Sequence, residues 1–211
     1  MDFQDVVRRR RMVRRYSTEP VDPAAVTRML DNAVRAPSAG FSQGWAFLVL
    51  DTTQDVARFW AATTPPERAA APDRWLRGMR AAPVLIVPLA CEDAYRRRYA
   101  EPDKARRLDD APAGEHPAAE LPWAVPYWHV DAGMASLLVL QTAVDEGLGA
   151  CFFGIPVARV DALRAAFGVP ADHEPVGAIT VGHPAADASG GGSPARRPRR
   201  PPAEVVHRGR W

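Results

Sequence analysis

The sequence predicts an α+β domain built around a mixed sheet. Two observations carry that prediction. Short apolar runs of strand length and amphipathic stretches of helix length are interspersed along the 211 residues, without the regular alternation of long strands and crossover helices that a doubly wound fold requires. The longest helical segment is apolar almost all round from Met134 to Val144, which places it in the core or in a subunit interface. A chain of this length suits one domain with a sizeable core.

The elements follow in order. Asp2 to Val13 reads as a helix, with Asp2 as its cap and Phe3, Val6 and Val7 on one face. A second helix starts from Asp22 at the cap and Pro23 at the first position, and ends near Ala36, because Pro37 disfavours helical geometry before it. The small-residue loop Ser38-Ala39-Gly40 leads to a strand at Trp45 to Leu50. Residues 54–81 read as helix interrupted by Pro65-Pro66 and Pro72, and Val84 to Ala90 as a buried strand despite Pro88. From Glu92 to Pro126 the chain is polar and weakly periodic, a lid-like excursion with a helix at Glu92 to Tyr99. His129 to Glu146 is the long helix, stopped by Gly147. A strand at Ala150 to Phe153, a helix at Val157 to Phe167 and a strand at Val176 to Val181 complete the order. Beyond them an extended basic arm covers about 189–211, Gly, Pro and Arg rich at Ser189 to Pro202.

The net charge of +2 conceals an uneven distribution. Residues 1–15 and 196–211 hold six arginines each, which leaves 15 basic against 22 acidic residues between them. Every basic residue except Lys104 is arginine, the side chain whose planar fork grips a phosphate in two places. Charge alone favours two solvated basic tails. No apolar run reaches membrane-spanning length, and no signal-peptide pattern follows Arg8 to Arg11. Cys91 and Cys151 show neither metal-ligand spacing nor a disulfide framework and are expected to be packed in apolar strands. A cytoplasmic protein is the expectation.

Three stretches carry the chemistry. The first is Arg10-Arg11-Met12-Val13-Arg14-Arg15-Tyr16 with Pro20-Val21. The second runs from Ala36-Pro37-Ser38-Ala39-Gly40 through Phe41-Ser42-Gln43-Gly44-Trp45-Ala46-Phe47. The third is Glu146-Gly147-Leu148-Gly149-Ala150-Cys151-Phe152-Phe153-Gly154, closed by Arg197-Pro198-Arg199-Arg200-Pro201 and Val205-Val206-His207. A flavin mononucleotide needs its dianionic phosphate neutralised and its ring held against apolar surface with donors near N5. Arginines at both chain ends suit the phosphate, and small residues at Pro37 to Gly40 allow close approach of backbone to a ring.

In order, spacing and total length these stretches resemble the FMN-dependent nitroreductase family from end to end. The resemblance implies a nitroreductase-like fold, with a mainly antiparallel central sheet flanked by helices, in an intertwined homodimer. It implies FMN as cofactor and NAD(P)H as electron donor, with nitroaromatics, quinones or similar small molecules reduced by a ping-pong mechanism. It assigns Arg10 and Arg14 to the phosphate and ribityl chain, with Arg11 and Met12 beside them, and Arg197 and Arg199 as the C-terminal basic pair. Pro37, Ser38 and Ala39 match the loop supplied by the other subunit, and the amide of Phe153, flanked by Gly154, matches the flavin N5 partner. Met12 stands where the family commonly has serine, Phe41 where it has asparagine and Gly44 where it has proline; the latter two bear on substrate preference. No side chain is assigned as an acid or base.

Other readings of the same residues rank lower. Gly147-Leu148-Gly149 follows a helix rather than a first strand, so it is not a dinucleotide fingerprint. His129 and Asp131 read as a polar pair at a helix start, and Trp123, Tyr127 and Trp128 as either a channel lining or lid packing. Two rival functions stay open: a flavin-sequestering protein without turnover, and a specialised flavin enzyme of the same fold for flavin fragmentation, dehalogenation or dehydrogenation. With the arginines committed to flavin, no nucleic-acid partner is expected.

Overall fold

The computed structural model describes residues 1–104, 123–188 and 197–211; most of the lid-like excursion and the start of the arm lie outside them. Helix α1 (Phe3–Arg9) begins where Asp2 accepts from the amide of Gln4 at 2.8 Å. It stops short of the expected Val13 because Met12 and Val13 leave helical geometry to join the sheet. Helix α2 (Pro23–Ala33) starts as the sequence predicts, with Asp22 accepting from Ala24 and proline in its first turn. Strand β1 (Trp45–Leu50) follows the loop after Pro37. The prolines at 65, 66 and 72 divide the next helical stretch into α3 (Thr53–Thr63), α4 (Pro66–Ala70) and α5 (Arg74–Arg80). Thr52 and Asp73 cap the first and last of these.

Then come β2 (Val84–Ala90), α6 (Glu92–Tyr99) and the 19-residue α7 (Tyr127–Asp145). Strand β3 (Gly149–Phe153) leads to α8 (Val160–Phe167), which Gly168 ends in the left-handed region at φ 64°. A two-residue strand β4 (Glu174–Pro175) and β5 (Ala178–Gly182) close the sheet. The sequence reading began the last strand at Val176, two residues before β5, and assigned no strand to Glu174–Pro175.

The sheet order is β1-β2-β5-β3, with β4 also beside β2, and every neighbouring pair runs antiparallel. The parallel component is a bridge between Met12 and Ala150, which brings the N-terminal segment against β3. Central β2 survives its proline because of a change of partner. On one side Val84 to Ile86 pair with β5, while Leu89 and Ala90 pair with β4. Pro88, lacking an N–H, falls in the gap, and its carbonyl accepts from Val176 N at 3.0 Å.

Helices cover both faces, so β2 reads as a continuous apolar run. Val84 and Ile86 face Met29, Ala33, Val139 and Ala143 of α2 and α7. Leu85 and Val87 face Phe59, Leu76, Met79 and Leu163 of α3, α5 and α8. Among the described residues no helix is long and apolar enough to cross a membrane.

The N-terminal segment lies so close to β3 that a Cβ on Gly149 would sit 2.8 Å from Val13 Cβ. Gly149→Ala is therefore expected to lower stability by about 1–3 kcal/mol through overpacking. Urea denaturation should show a lower midpoint with an unchanged slope.

Candidate functional site

The segment after α1 is fastened to the sheet by hydrogen bonds at several depths. Val13 N donates to Ala150 O at 2.9 Å, Ser17 N to His183 O at 2.9 Å, and Ala185 N to Arg15 O at 3.0 Å. Beneath them the buried Tyr16 hydroxyl lies 2.6 Å from Val13 O and 2.8 Å from Thr180 Oγ1. Burial pushes this phenol far above its ordinary pKa, so it stays neutral.

That anchoring fixes where the arginines go. A cavity of about 550 Å³ opens between the end of α1 and the α7–β3 turn, lined by Arg8, Arg9, Arg10, Arg11, Gly147 and Arg199 among others. The side chains of Arg10, Arg11 and Arg199 have no hydrogen-bond or ion-pair partner among the described residues. The C-terminal ends of α1 and α7 both point here, and each contributes roughly half a negative charge. Four or more guanidinium groups outweigh that, so the cavity is cationic and suits a phosphate.

The remaining residues singled out by sequence divide between two places. Arg14 leaves its guanidinium 3.5 Å from Met12 O and near Cys151. Burial pushes the Cys151 thiol up, against the opposing influence of Arg14, so this cysteine is packed and protonated. Met12 packs its side chain against the cores on both faces of the sheet, which accounts for an apolar residue at that position. Arg197 is exposed and lies outside the lining of the cavity. Phe153 stands opposite Ala178 in the sheet and turns its ring onto Trp60, stacked at 5.6 Å. Beside it, Gly154 has open space where a Cβ would stand.

Pro37, Ser38 and Ala39 open a tight loop. Phe41 N donates to Ser38 O at 2.9 Å and Gln43 N to Ser38 Oγ at 3.0 Å. Phe41 and Gln43 hold positive φ angles of 58° and 50°, a strained arrangement for side-chain-bearing residues. Phe41 is 72% exposed at the tip.

The loop is held by a residue that the sequence reading took for half of a polar pair at a helix start. Asp131, only 2% exposed, accepts from Ala39 N at 2.8 Å and from the Tyr95 hydroxyl at 2.7 Å. Burial and this carboxylate together push the Tyr95 phenol far above its usual range, so it remains a donor. Arg98 adds a bond from Nε to Gly40 O at 3.0 Å, and the Tyr99 ring leaves no room for a Cβ on Gly40. Trp123 packs edge-on against Tyr95, Tyr99 and Tyr127, so these aromatics brace the loop. His129 and Asp131 are thus not a pair: His129 faces Glu174 at 3.1 Å. The available signal was an acidic residue in an otherwise apolar helix.

The two halves sit at opposite ends of α7. The arginine cavity adjoins Val144 and Gly147, whereas the loop hangs on Asp131. The intervening helix spans about 20 Å at 1.5 Å per residue. One chain therefore brings Arg10, Arg11 and Arg199 together, but not with its own Pro37-Ser38-Ala39 loop.

Comparison with known proteins identifies the family. A sequence model described as the Nitroreductase family matches residues 7–183. A protein of Methanothermobacter thermautotrophicus, provisionally named NADH dehydrogenase/NAD(P)H nitroreductase, is 26% identical over 187 residues, covering 88% of this chain and 78% of its own. A provisionally named nitroreductase of Desulfovibrio desulfuricans, solved in complex with FMN, is 25% identical with a TM-score of 0.68 and covers 100% of this chain and 98% of its own. Another from Exiguobacterium sibiricum, also solved with FMN, is 21% identical with a TM-score of 0.71, covering 98% and 97%. The fold is the nitroreductase-like α+β fold that the sequence resemblance implies.

The Asp131 contacts yield a direct test. Asp131→Ala removes two hydrogen bonds to a charged acceptor, each worth about 1.5–3 kcal/mol. Amide hydrogen exchange at Ala39 to Gln43 is expected to accelerate at least tenfold, with the exchange of β2 and β5 much less affected.

Proposed function

The chain belongs to the Nitroreductase family, and from that premise we propose that it is an FMN-dependent oxidoreductase acting as a cytoplasmic homodimer. Its electron donor is a reduced nicotinamide, and its acceptors are nitroaromatics, quinones or similar small organic molecules, which alternate in one site. The observation that carries this reading is the cationic cavity at the start of β3, where three arginine side chains lack partners among the described residues. That feature fits a dianionic phosphate.

The donor set fits the rest of the cofactor as well. Strand β3 runs from Gly149 at the cavity to Phe153, about 13 Å at strand rise. A phosphate at one end leaves the ring near Phe153 and Gly154, where the glycine gives open access to backbone. Arg10, Arg11 and Arg199 would hold the phosphate, and Arg14, further along β3, the ribityl region. When bound, FMN supplies the hydride and electron transfer. The protein contributes position, apolar surface and backbone donors. No side chain is assigned as an acid or base.

The homodimer is supported by what one chain keeps apart. The Pro37-Ser38-Ala39 loop is a helix length away from its own arginines, and in the proposed dimer a second copy supplies it. Helix α7 presents exposed Val130 and Leu137 with half-buried Met134 between them, an apolar stripe at helical spacing that suits a partner. The arm from 197 to 211 is exposed throughout, with Trp211 98% exposed, as expected of a segment that packs on another chain.

The test is an absorbance spectrum of purified protein, followed by NADPH or NADH under anaerobic conditions. A flavin spectrum that bleaches supports the proposal; a protein that takes up no FMN overturns it, and bound flavin that no donor reduces favours sequestration. Arg10→Ala and Arg199→Ala are each expected to weaken FMN binding about 10- to 100-fold, the equivalent of one charged hydrogen bond. Fluorescence titration of the flavin would measure it.

A further inference from the structure

The topology brings together three metal-ligating side chains far apart in sequence. Cys91 follows β2 and caps α6, while Asp172 and His173 lie in the turn before β4. Because β4 pairs with the end of β2 through Ala90 and Glu174, that turn is carried onto the cysteine. Cys91 Sγ lies 3.9 Å from Asp172 Oδ2, and His173 Nδ1 lies 2.8 Å from Asp172 Oδ1. One ligand atom from each falls within 4.8 Å of the other two. In a tetrahedral zinc centre with bonds of about 2.0–2.3 Å, neighbouring ligand atoms stand roughly 3.3–3.8 Å apart. Side-chain adjustments of about an ångström would close this set on an ion.

We propose that Cys91, Asp172 and His173 form a Zn²⁺ site, with water in the fourth position. Thiolate, imidazole and carboxylate together select zinc over magnesium or calcium, which prefer all-oxygen shells. Arg97 stands near the Asp172 carboxylate. Binding costs the His173–Asp172 hydrogen bond and releases the Cys91 thiol proton to solvent. With thiolate and carboxylate the site carries two negative charges, and Arg97 cancels no more than one. The neighbouring Glu174 is already engaged by His129. Cys91 is buried, whereas Asp172 is exposed, so the ion enters from the turn.

The site would tie the β4 turn to the start of α6. That helix carries Tyr95 and Arg98, which hold the 38–44 loop. The plain competing account is a surface His–Asp pair resting against a packed thiol.

The experiment is calorimetric titration of dialysed full-length protein with zinc chloride in buffers of different ionisation heat. One zinc per chain, bound with proton release and undisturbed by excess magnesium, is expected. Cys91→Ser and His173→Ala should each weaken binding at least tenfold, while His207→Ala in the arm should not. On unmodified protein, Cd²⁺ should give the ultraviolet charge-transfer difference spectrum of a thiolate ligand, which reads the site without any variant. Absence of that band, or zinc binding equal in Cys91→Ser and unmodified protein, would overturn the proposal.

Discussion

The structure depends on the docking of the segment from Met12 to Ser17 against β3 and the end of β5. Its outer contacts are ordinary backbone hydrogen bonds, but its anchor is the buried Tyr16 hydroxyl, shared between Val13 O and Thr180 Oγ1. A buried hydroxyl left unpaired costs about 1–3 kcal/mol, so this contact admits little sliding of the segment. Val13 against Gly149 sets the closeness of approach, and Met12 fills space on both faces of the sheet. Arg10 and Arg11 are then delivered to fixed places without side-chain partners among the described residues. Their repulsion is eased by the negative ends of α1 and α7.

The loop at 38–44 shows the same economy at the other end of α7. Positive φ at Phe41 and Gln43 stores strain, and it persists because the surroundings over-determine it. Asp131 anchors the loop from below, Arg98 binds its carbonyl, and Tyr95, Tyr99 and Trp123 form the wall. A buried carboxylate is tolerated here because both its donors are supplied at under 3 Å. A rigid loop that its own chain does not use suits delivery to a second copy, which links this packing to the proposed dimer.

The element order was legible in the sequence because its punctuation is local. Asp22-Pro23 opens a helix, Gly147 and Gly168 close two, and the prolines at 65, 66 and 72 break one into three. The arginine groups at the two ends and the Gly147–Gly154 stretch were likewise visible, since their residue types and order carry chemistry by themselves. The length of α1 was misjudged because nothing local announces that Met12 and Val13 will pair with Ala150. The short strand β4 was hidden for the same reason: it reflects where β2, with Pro88, has bonds to offer.

By itself, then, the sequence determined the fold class, the sites of helix initiation and termination, and the gathering of arginine at the two chain ends. Those are properties of short windows, set by side-chain entropy, capping and charge. Only the tertiary structure decided that Asp131 holds the Ala39 amide, that Cys91 meets Asp172 and His173, and that the arginines and the loop lie at opposite ends of α7. Each of these joins residues tens of positions apart through strand pairing and helix packing, which no window of sequence contains.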